Sequence, residues 1–249
     1  MSHSTVKALI PPRGVLDSWS FFDKIYCISI EERTDRRDEA KRQFAGVGLL
    51  ERVEFVVVKK HAHSPEQGCY QSHIACLKMA LAAGAEHILI FEDDIIFRGF
   101  RDSTLKEASG FLQENANWHI LFLGAIVRGS SKTTNKSVVK VAYQCLSHAY
   151  AVNRRFAESI VSIPWQGVPY DAFLSRMNQN FYAVYPSFSF QSNSPTDNKF
   201  FIDKLRRLLG GLFFIQRANE IFQRYRSPII VAHVAVLAAL VAFIFKQFL

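Results

Sequence analysis

The chain has 249 residues, of which 49% are hydrophobic and 13% aromatic, and it carries a formal net charge of +8. That apolar content excludes a disordered chain and is enough for one packed domain with an appendage. The charge does not point to nucleic acid, because it is concentrated. Between Lys199 and Arg226, seven basic residues (Lys199, Lys204, Arg206, Arg207, Arg217, Arg224, Arg226) stand against two acids, Asp203 and Glu220, and Lys246 follows.

Residues 1–20 read as an N-terminal extension. The apolar run in "MSHSTVKALIPPRG" is too short for a signal segment, and Pro11-Pro12 interrupt it. The cysteines, Cys27, Cys69, Cys76 and Cys145, stand singly in apolar surroundings with no CxxC pair and no His/Cys cluster at zinc spacing. Buried thiols in a reducing compartment are the expectation.

The body, residues 21–194, alternates strands and helices. "KIYCISI" (Lys24 to Ile30) reads as a buried strand and "RTDRRDEAKRQFAGVG" as a charged amphipathic helix. "RVEFVVVK" is a second strand, "CYQSHIACLKMALAAGAE" a helix with Ile74, Leu77 and Leu81 on one stripe, and "HILIF" a third strand. "WHILFLG" (Trp118 to Gly124) is a fourth, and "RGSSKTTNKS" (Arg128 to Ser137) reads as a polar loop. This order predicts an α/β fold, a mostly parallel central sheet with helices on both faces and ligands beyond the carboxyl ends of its strands.

At such an end stand three consecutive carboxylates, Glu92-Asp93-Asp94. An oxygen-rich cluster there suits a hard divalent cation, Mg²⁺ or Mn²⁺, although an acidic triplet also commonly caps a turn. Arg33, Arg36 and Arg37 follow the first strand, where a guanidinium could clamp phosphate, or equally where they could line a solvated helix face among Glu31, Glu32, Asp35 and Asp38. Ser72 and His73 are expected at a helix start, whose N–H groups attract anions; the alternative is a cap and a structural histidine. Asp171 follows a proline-containing turn as a helix cap or a catalytic carboxylate.

The segments "KIYCISIEERTDRRDEAKRQF", "GCYQSHIACLKMALAAGAEHILIFEDDIIF", "HAYAVNRRFA" and "YDAF…YPSFSFQ", in that order, resemble the family 25 glycosyltransferases over roughly residues 22–192. The resemblance implies a GT-A-like nucleotide-diphospho-sugar transferase fold, an inverting transfer, often with UDP-galactose as donor, and the setting of lipopolysaccharide or lipooligosaccharide biosynthesis. It also implies roles: Asp94 as metal ligand with Glu92 assisting; Asp171 as general base, with His148 and Asp93 as further catalytic candidates; and Arg33, Arg36, Ser29, Ser72, His73 and Gln191 at the donor. The implied cofactor is Mn²⁺ or Mg²⁺, and the implied partners are a UDP-sugar donor and a glycan or lipid-linked acceptor, with no nucleic acid. A non-catalytic nucleotide-sugar-binding module and a metal-dependent phosphohydrolase are the alternatives, the latter lacking a second acidic or His set for a two-metal site.

The C-terminal portion is of another kind. Residues 195–227 form a basic amphipathic segment that reads as a membrane-surface element broken at Gly210-Gly211. Residues 228–249 read as a transmembrane helix: Ile229 to Phe245 is a seventeen-residue run interrupted only by His233, about 25 Å long as a helix. Arg217, Arg224 and Arg226 precede it and only Lys246 follows, so the positive-inside bias predicts a single-pass anchor with the body in the cytoplasm.

Overall fold

The computed structural model describes residues 17–177, 179–192 and 211–247. Most of the N-terminal extension and the first part of the basic segment, including Lys199, Lys204, Arg206, Arg207 and Gly210, lie outside the described residues.

The chain runs β1 (Lys24–Ile30), α1 (Thr34–Gly46), β2 (Glu54–Val58), α2 (Pro65–Ala82), β3 (His87–Glu92), β4 (Ile95–Phe97), α3 (Asp102–Glu114), β5 (Ile120–Phe122), β6 (Ile126–Lys132), β7 (Val138–Cys145), β8 (Ala149–Asn153), α4 (Arg154–Ile160), α5 (Tyr170–Arg176), β9 (Phe181–Val184), β10 (Ser189–Gln191), α6 (Gly211–Arg224) and α7 (Arg226–Gln247). Eight strands form one sheet in the order β2-β1-β3-β8-β5-β9-β7-β6. The pairings give six of them one direction and reverse β7 and β8, so the sheet is mixed but mostly parallel in strand direction. The expected α/β architecture is present.

Both faces of the sheet are covered, which explains why its central strands read as continuous apolar runs. Alternation divides them: Tyr26, Ile28, Ile88 and Ile90 join the core under α2, α4 and α5, whereas Ile25, Cys27, Leu89 and Phe91 join the core under α1 and α3. Within the second core, Trp19 stacks on Phe100 with ring centroids 5.1 Å apart.

Two sequence expectations need correction. Helix α2 begins at Pro65, with Ser64 as its cap accepting from the Gln67 N–H at 3.1 Å; Ser-Pro preorganises the first turn four residues before Cys69. Arg128 to Ser137 is not simply a loop, because it contributes most of β6 to an antiparallel hairpin with β7. A one-sided edge strand lacks the apolar run that marks a buried one.

Helix α6 docks on the sheet through its polar side. Asn219 brackets Val127, its Oδ1 accepting from the Val127 N–H and its Nδ2 donating to the Val127 carbonyl, each at 3.0 Å. Gln223 also donates to that carbonyl, and Glu220 accepts from the Ser187 N–H at 2.8 Å. The bonds to Val127 occupy backbone groups of β6, the sheet's edge strand. The opposite side of α6 leaves Phe214, Ile221, Phe222 and Tyr225 exposed. Helix α7 follows with Pro228 in its first turn; Arg226–Phe245 has a mean hydropathy of 2.7 and none of it is buried, so it is long and apolar enough to cross a membrane.

Candidate functional site

Strands β1, β2 and β3 are parallel neighbours, so their carboxyl ends open on one rim. A cavity of 410 Å³ lies there, lined among others by Arg36, Lys60, Cys69, His73, Asp94 and Asp171. A second cavity of 190 Å³, between the β6–β7 hairpin and α6, shares no lining residue with it.

The three carboxylates leave the end of β3 in different directions. Glu92 turns to α2 and the turn before β8: its Oε1 lies 3.4 Å from His73 Nε2 and accepts from the Ser147 hydroxyl at 3.4 Å. Asp93 and Asp94 turn to α1, where Arg36 Nη1 lies 3.6 Å from Asp93 Oδ1 and 3.5 Å from Asp94 Oδ2. The two-stranded β4–β10 sheet sets Gln191 opposite Ile95, and from there Gln191 donates to Asp94 Oδ2 at 2.8 Å. Asp94 Oδ1 is buried with no hydrogen-bond partner among the described residues.

Electrostatics follow from this crowding. Burial, then the charge of Glu92, raises the Asp94 carboxyl to about 7. Burial also raises Asp93, against the pull of the Ser29 hydroxyl and Arg36. A cation beside these oxygens would favour their charged forms and so oppose both shifts, and Asp94 Oδ1 offers it an unused lone pair. The donor set is carboxylate oxygen, which fits Mg²⁺ or Mn²⁺.

Asp171, in the first turn of α5, lines the same cavity. Its Oδ1 accepts from the Tyr143 hydroxyl and its Oδ2 from the Leu146 N–H at 3.1 Å. Leu146 has φ 77°, so Asp171 also helps hold a left-handed turn at the cavity wall. Burial raises its carboxyl above the ordinary range, partly offset by the Tyr143 bond.

The other expected residues are placed unevenly. His73 is buried in the cavity wall, its ring stacked on Tyr170 at 4.2 Å. Ser72 lines the cavity, but its hydroxyl donates back to the Gly68 carbonyl at 2.7 Å. Because α2 starts at Pro65, Ser72 and His73 are two turns inside the helix and not at its anion-binding end. Arg33 pairs with Asp35 at 2.9 Å, away from the cavity lining. Arg37 holds Ser29 Oγ at 3.0 Å and the Ile30 and Glu31 carbonyls, so it braces the end of β1.

His148 departs most from expectation. It is fully buried, its Nε2 lies 3.0 Å from Ser189 Oγ, and it does not line the cavity. Burial lowers the ring to about 4, so it is neutral, and its carbonyl accepts from the Glu92 N–H at 2.9 Å. It supports the rim from behind. Sequence reasoning missed Lys59, Lys60 and His61 at the cavity, although "KKH" directly follows a parallel strand. It also read Cys69 as buried, whereas Cys69 is exposed and contributes to the cavity lining, and Cys145 is half-buried.

The mixed α/β sheet with a carboxylate-lined rim is the class of fold that the sequence motifs imply. The family model "Glycosyltransferase family 25 (LPS biosynthesis protein)" matches residues 56–162, bearing out that resemblance. The matched stretch contains Ser72, His73, the three carboxylates and His148; Ser29, Arg33, Arg36, Asp171 and Gln191 lie outside it. The chain is 25% identical over 190 residues to human procollagen galactosyltransferase 2 and 24% identical over 188 residues to human inactive glycosyltransferase 25 family member 3. Each match covers 63% of this chain but only 30% and 32% of the respective relative. Among solved structures, A197 from STIV is similar with a TM-score of 0.45 and 12% identity, covering 68% of this chain and 85% of that one. A glycosyltransferase involved in glycosylation of the major capsid of PBCV-1 is similar with a TM-score of 0.39 and 10% identity, covering 64% and 80%.

Proposed function

We propose that this chain is a divalent-cation-dependent inverting glycosyltransferase that moves a sugar, galactose first among the candidates, from a UDP-sugar to a glycan or lipid-linked acceptor. The observation that carries the reading is Asp94: a carboxylate buried beside two others, with one oxygen unpartnered, at the rim where a parallel sheet receives ligands. Asp94 would hold Mn²⁺ or Mg²⁺, with Glu92 assisting. Bound there, the cation would offset the charge of the departing diphosphate.

The chain's own groups account for the rest. Arg36 orients Asp93 and Asp94, and Gln191 fixes the Asp94 rotamer. Asp171 takes the proton of the acceptor hydroxyl: each of its oxygens accepts one hydrogen bond and keeps a second lone pair, and burial raises its basicity. Lys59 and Lys60 at the cavity supply positive charge for a diphosphate.

Helices α6 and α7 support attachment to a membrane. In α6 the apolar side faces away from the protein, flanked by Arg217 and Arg224, as suits a helix lying on an anionic surface. Helix α7 would then cross the bilayer, with the body on the cytoplasmic side by the positive-inside bias. A lipid-linked or lipopolysaccharide acceptor suits that arrangement.

A screen of UDP-, GDP- and CMP-sugars for Mn²⁺-dependent hydrolysis or transfer tests the reading. It uses the intact chain, because truncation before α6 would uncover the sheet edge. The similarity to a relative named inactive favours a second reading, a binding module without turnover. Donor binding with no hydrolysis or transfer to any acceptor would select it.

A further inference from the structure

We propose that Cys69, His73 and Glu92 form a site for a soft divalent cation of the Zn²⁺ class, chemically distinct from the hard-cation position at Asp94. The inference goes beyond the transfer reading and does not depend on turnover.

Cys69 and His73 are four residues apart on α2, so their side chains share one face of the helix. Glu92 meets them from the end of β3, and one donor atom from each lies within 4.8 Å of the other two. A tetrahedral zinc ion with bonds of about 2.0–2.3 Å places its donors roughly 3.3–3.8 Å apart, so small side-chain rotations close the site. A thiolate, an imidazole and one carboxylate select Zn²⁺ over Mg²⁺ or Mn²⁺ by ligand softness.

His73 supplies the independent observation. It is 1% exposed, and among the described residues its Nε2 has no hydrogen-bond partner, with Glu92 Oε1 facing it at 3.4 Å. Its other nitrogen, Nδ1, lies 3.0 Å from the Tyr150 hydroxyl, which is itself 2.8 Å from the Tyr170 hydroxyl. With Nδ1–H donating to Tyr150, the lone pair on Nε2 points at Cys69 and Glu92. Tyr170, stacked on the ring at 4.2 Å and 5°, prevents it from turning. A ring oriented through its second nitrogen is the usual support of a metal-bound histidine.

On binding, the Cys69 thiol gives its proton to solvent and the thiolate sulfur joins the metal. Three protein donors leave a fourth position open to the cavity, so a cation there would obstruct the proposed donor site and hold Glu92 on the His73 side, away from Asp94.

The test is titration of the metal-free intact chain with Co²⁺, a spectroscopic substitute for Zn²⁺. The expected result is a near-ultraviolet thiolate-to-Co²⁺ charge-transfer band, bleached by Zn²⁺ and lost in Cys69→Ser. Zn²⁺ should also protect Cys69 of the unmodified protein from alkylation, a readout that needs no variant to fold. Tyr150→Phe should keep the band and weaken Co²⁺ binding about 10- to 100-fold. Asp94→Asn should keep the band while losing Mn²⁺-dependent donor binding, which separates this site from the hard-cation reading. Cation binding without the band, a band that survives Cys69→Ser, or alkylation of Cys69 unaffected by Zn²⁺ would overturn the proposal.

Discussion

Replacing Asp94 by Asn should move stability and donor binding in opposite directions. Between its ordinary value of 3.8 and about 7, the Asp94 carboxyl holds a proton in the folded state that the unfolded chain has already lost. Stability attributable to this group therefore falls as pH rises through that window. At about 1.4 kcal/mol per pKa unit, the shift corresponds to a destabilisation on the order of 4 kcal/mol at neutral pH without a cation. The Asn variant escapes it but weakens the bond from Gln191 and the pairing with Arg36, together about 1–3 kcal/mol. A net gain of roughly 1–3 kcal/mol at pH 7 is expected, shrinking towards zero or below near pH 4. His148 has the opposite slope, because its lowered pKa removes stability as pH falls from 6.5 towards about 4. Both proteins share that slope, so the difference between them reports Asp94 together with the neighbouring carboxylates whose charges act on it. The assay is denaturant unfolding of the intact chain in detergent with chelator from pH 4 to 8, beside donor titrations with Mn²⁺. A variant less stable than wild type at pH 7, or one with unchanged Mn²⁺-dependent donor affinity, would refute the reasoning.

Asp171→Asn should lower the transfer rate about 10²- to 10⁴-fold and leave the donor dissociation constant nearly unchanged; near-normal turnover in a folded variant removes Asp171 as base. Deleting residues 228–249 should leave partial vesicle binding that declines with salt, since α6 retains its exposed apolar side and flanking arginines; full solubility of the intact chain at low salt without detergent counts against the anchor. Gly124→Ala places a Cβ 1.9 Å from the Ser189 carbonyl oxygen and 2.6 Å from Gln216 Nε2. It should destabilise the fold by at least ~1–3 kcal/mol and displace β10, which carries Gln191, so a melting temperature equal to wild type would contradict the close packing described.

Much of the fold was legible because its signals are local. The expected strand Lys24 to Ile30 coincides with β1, and "HILIF" lies within β3 because continuous apolar runs mark strands covered on both faces. The hairpin of β6 and β7 was missed, although its strands are adjacent in sequence, because its outer strand is largely exposed and carries no apolar run. Its outer edge is met at Val127 by Asn219 and Gln223, about ninety residues away. The start of α2 was legible in principle, since Ser64-Pro65 is a capping signal, but the motif beginning at Gly68 drew the boundary too late.

The site was legible as a set of residue types and not as a geometry. The triplet Glu92-Asp93-Asp94 marks a ligand rim on its own, yet sequence treats three adjacent carboxylates as equivalent. The structure separates them: Glu92 faces an imidazole and a thiol, whereas Asp93 and Asp94 face a guanidinium and an amide. Each division is made by a residue distant in the chain, His73 from α2, Arg36 from α1 and Gln191 from β10. The same distance explains the histidines. Both stand in short polar motifs, "QSH" and "SHAY", and look alike in sequence. Tyr150 and Tyr170 turn one ring towards the cavity, while Ser189 holds the other in the interior. Which histidine can meet a ligand is therefore decided by hydroxyl groups on β8, α5 and β10, whose positions exist only once the sheet has formed.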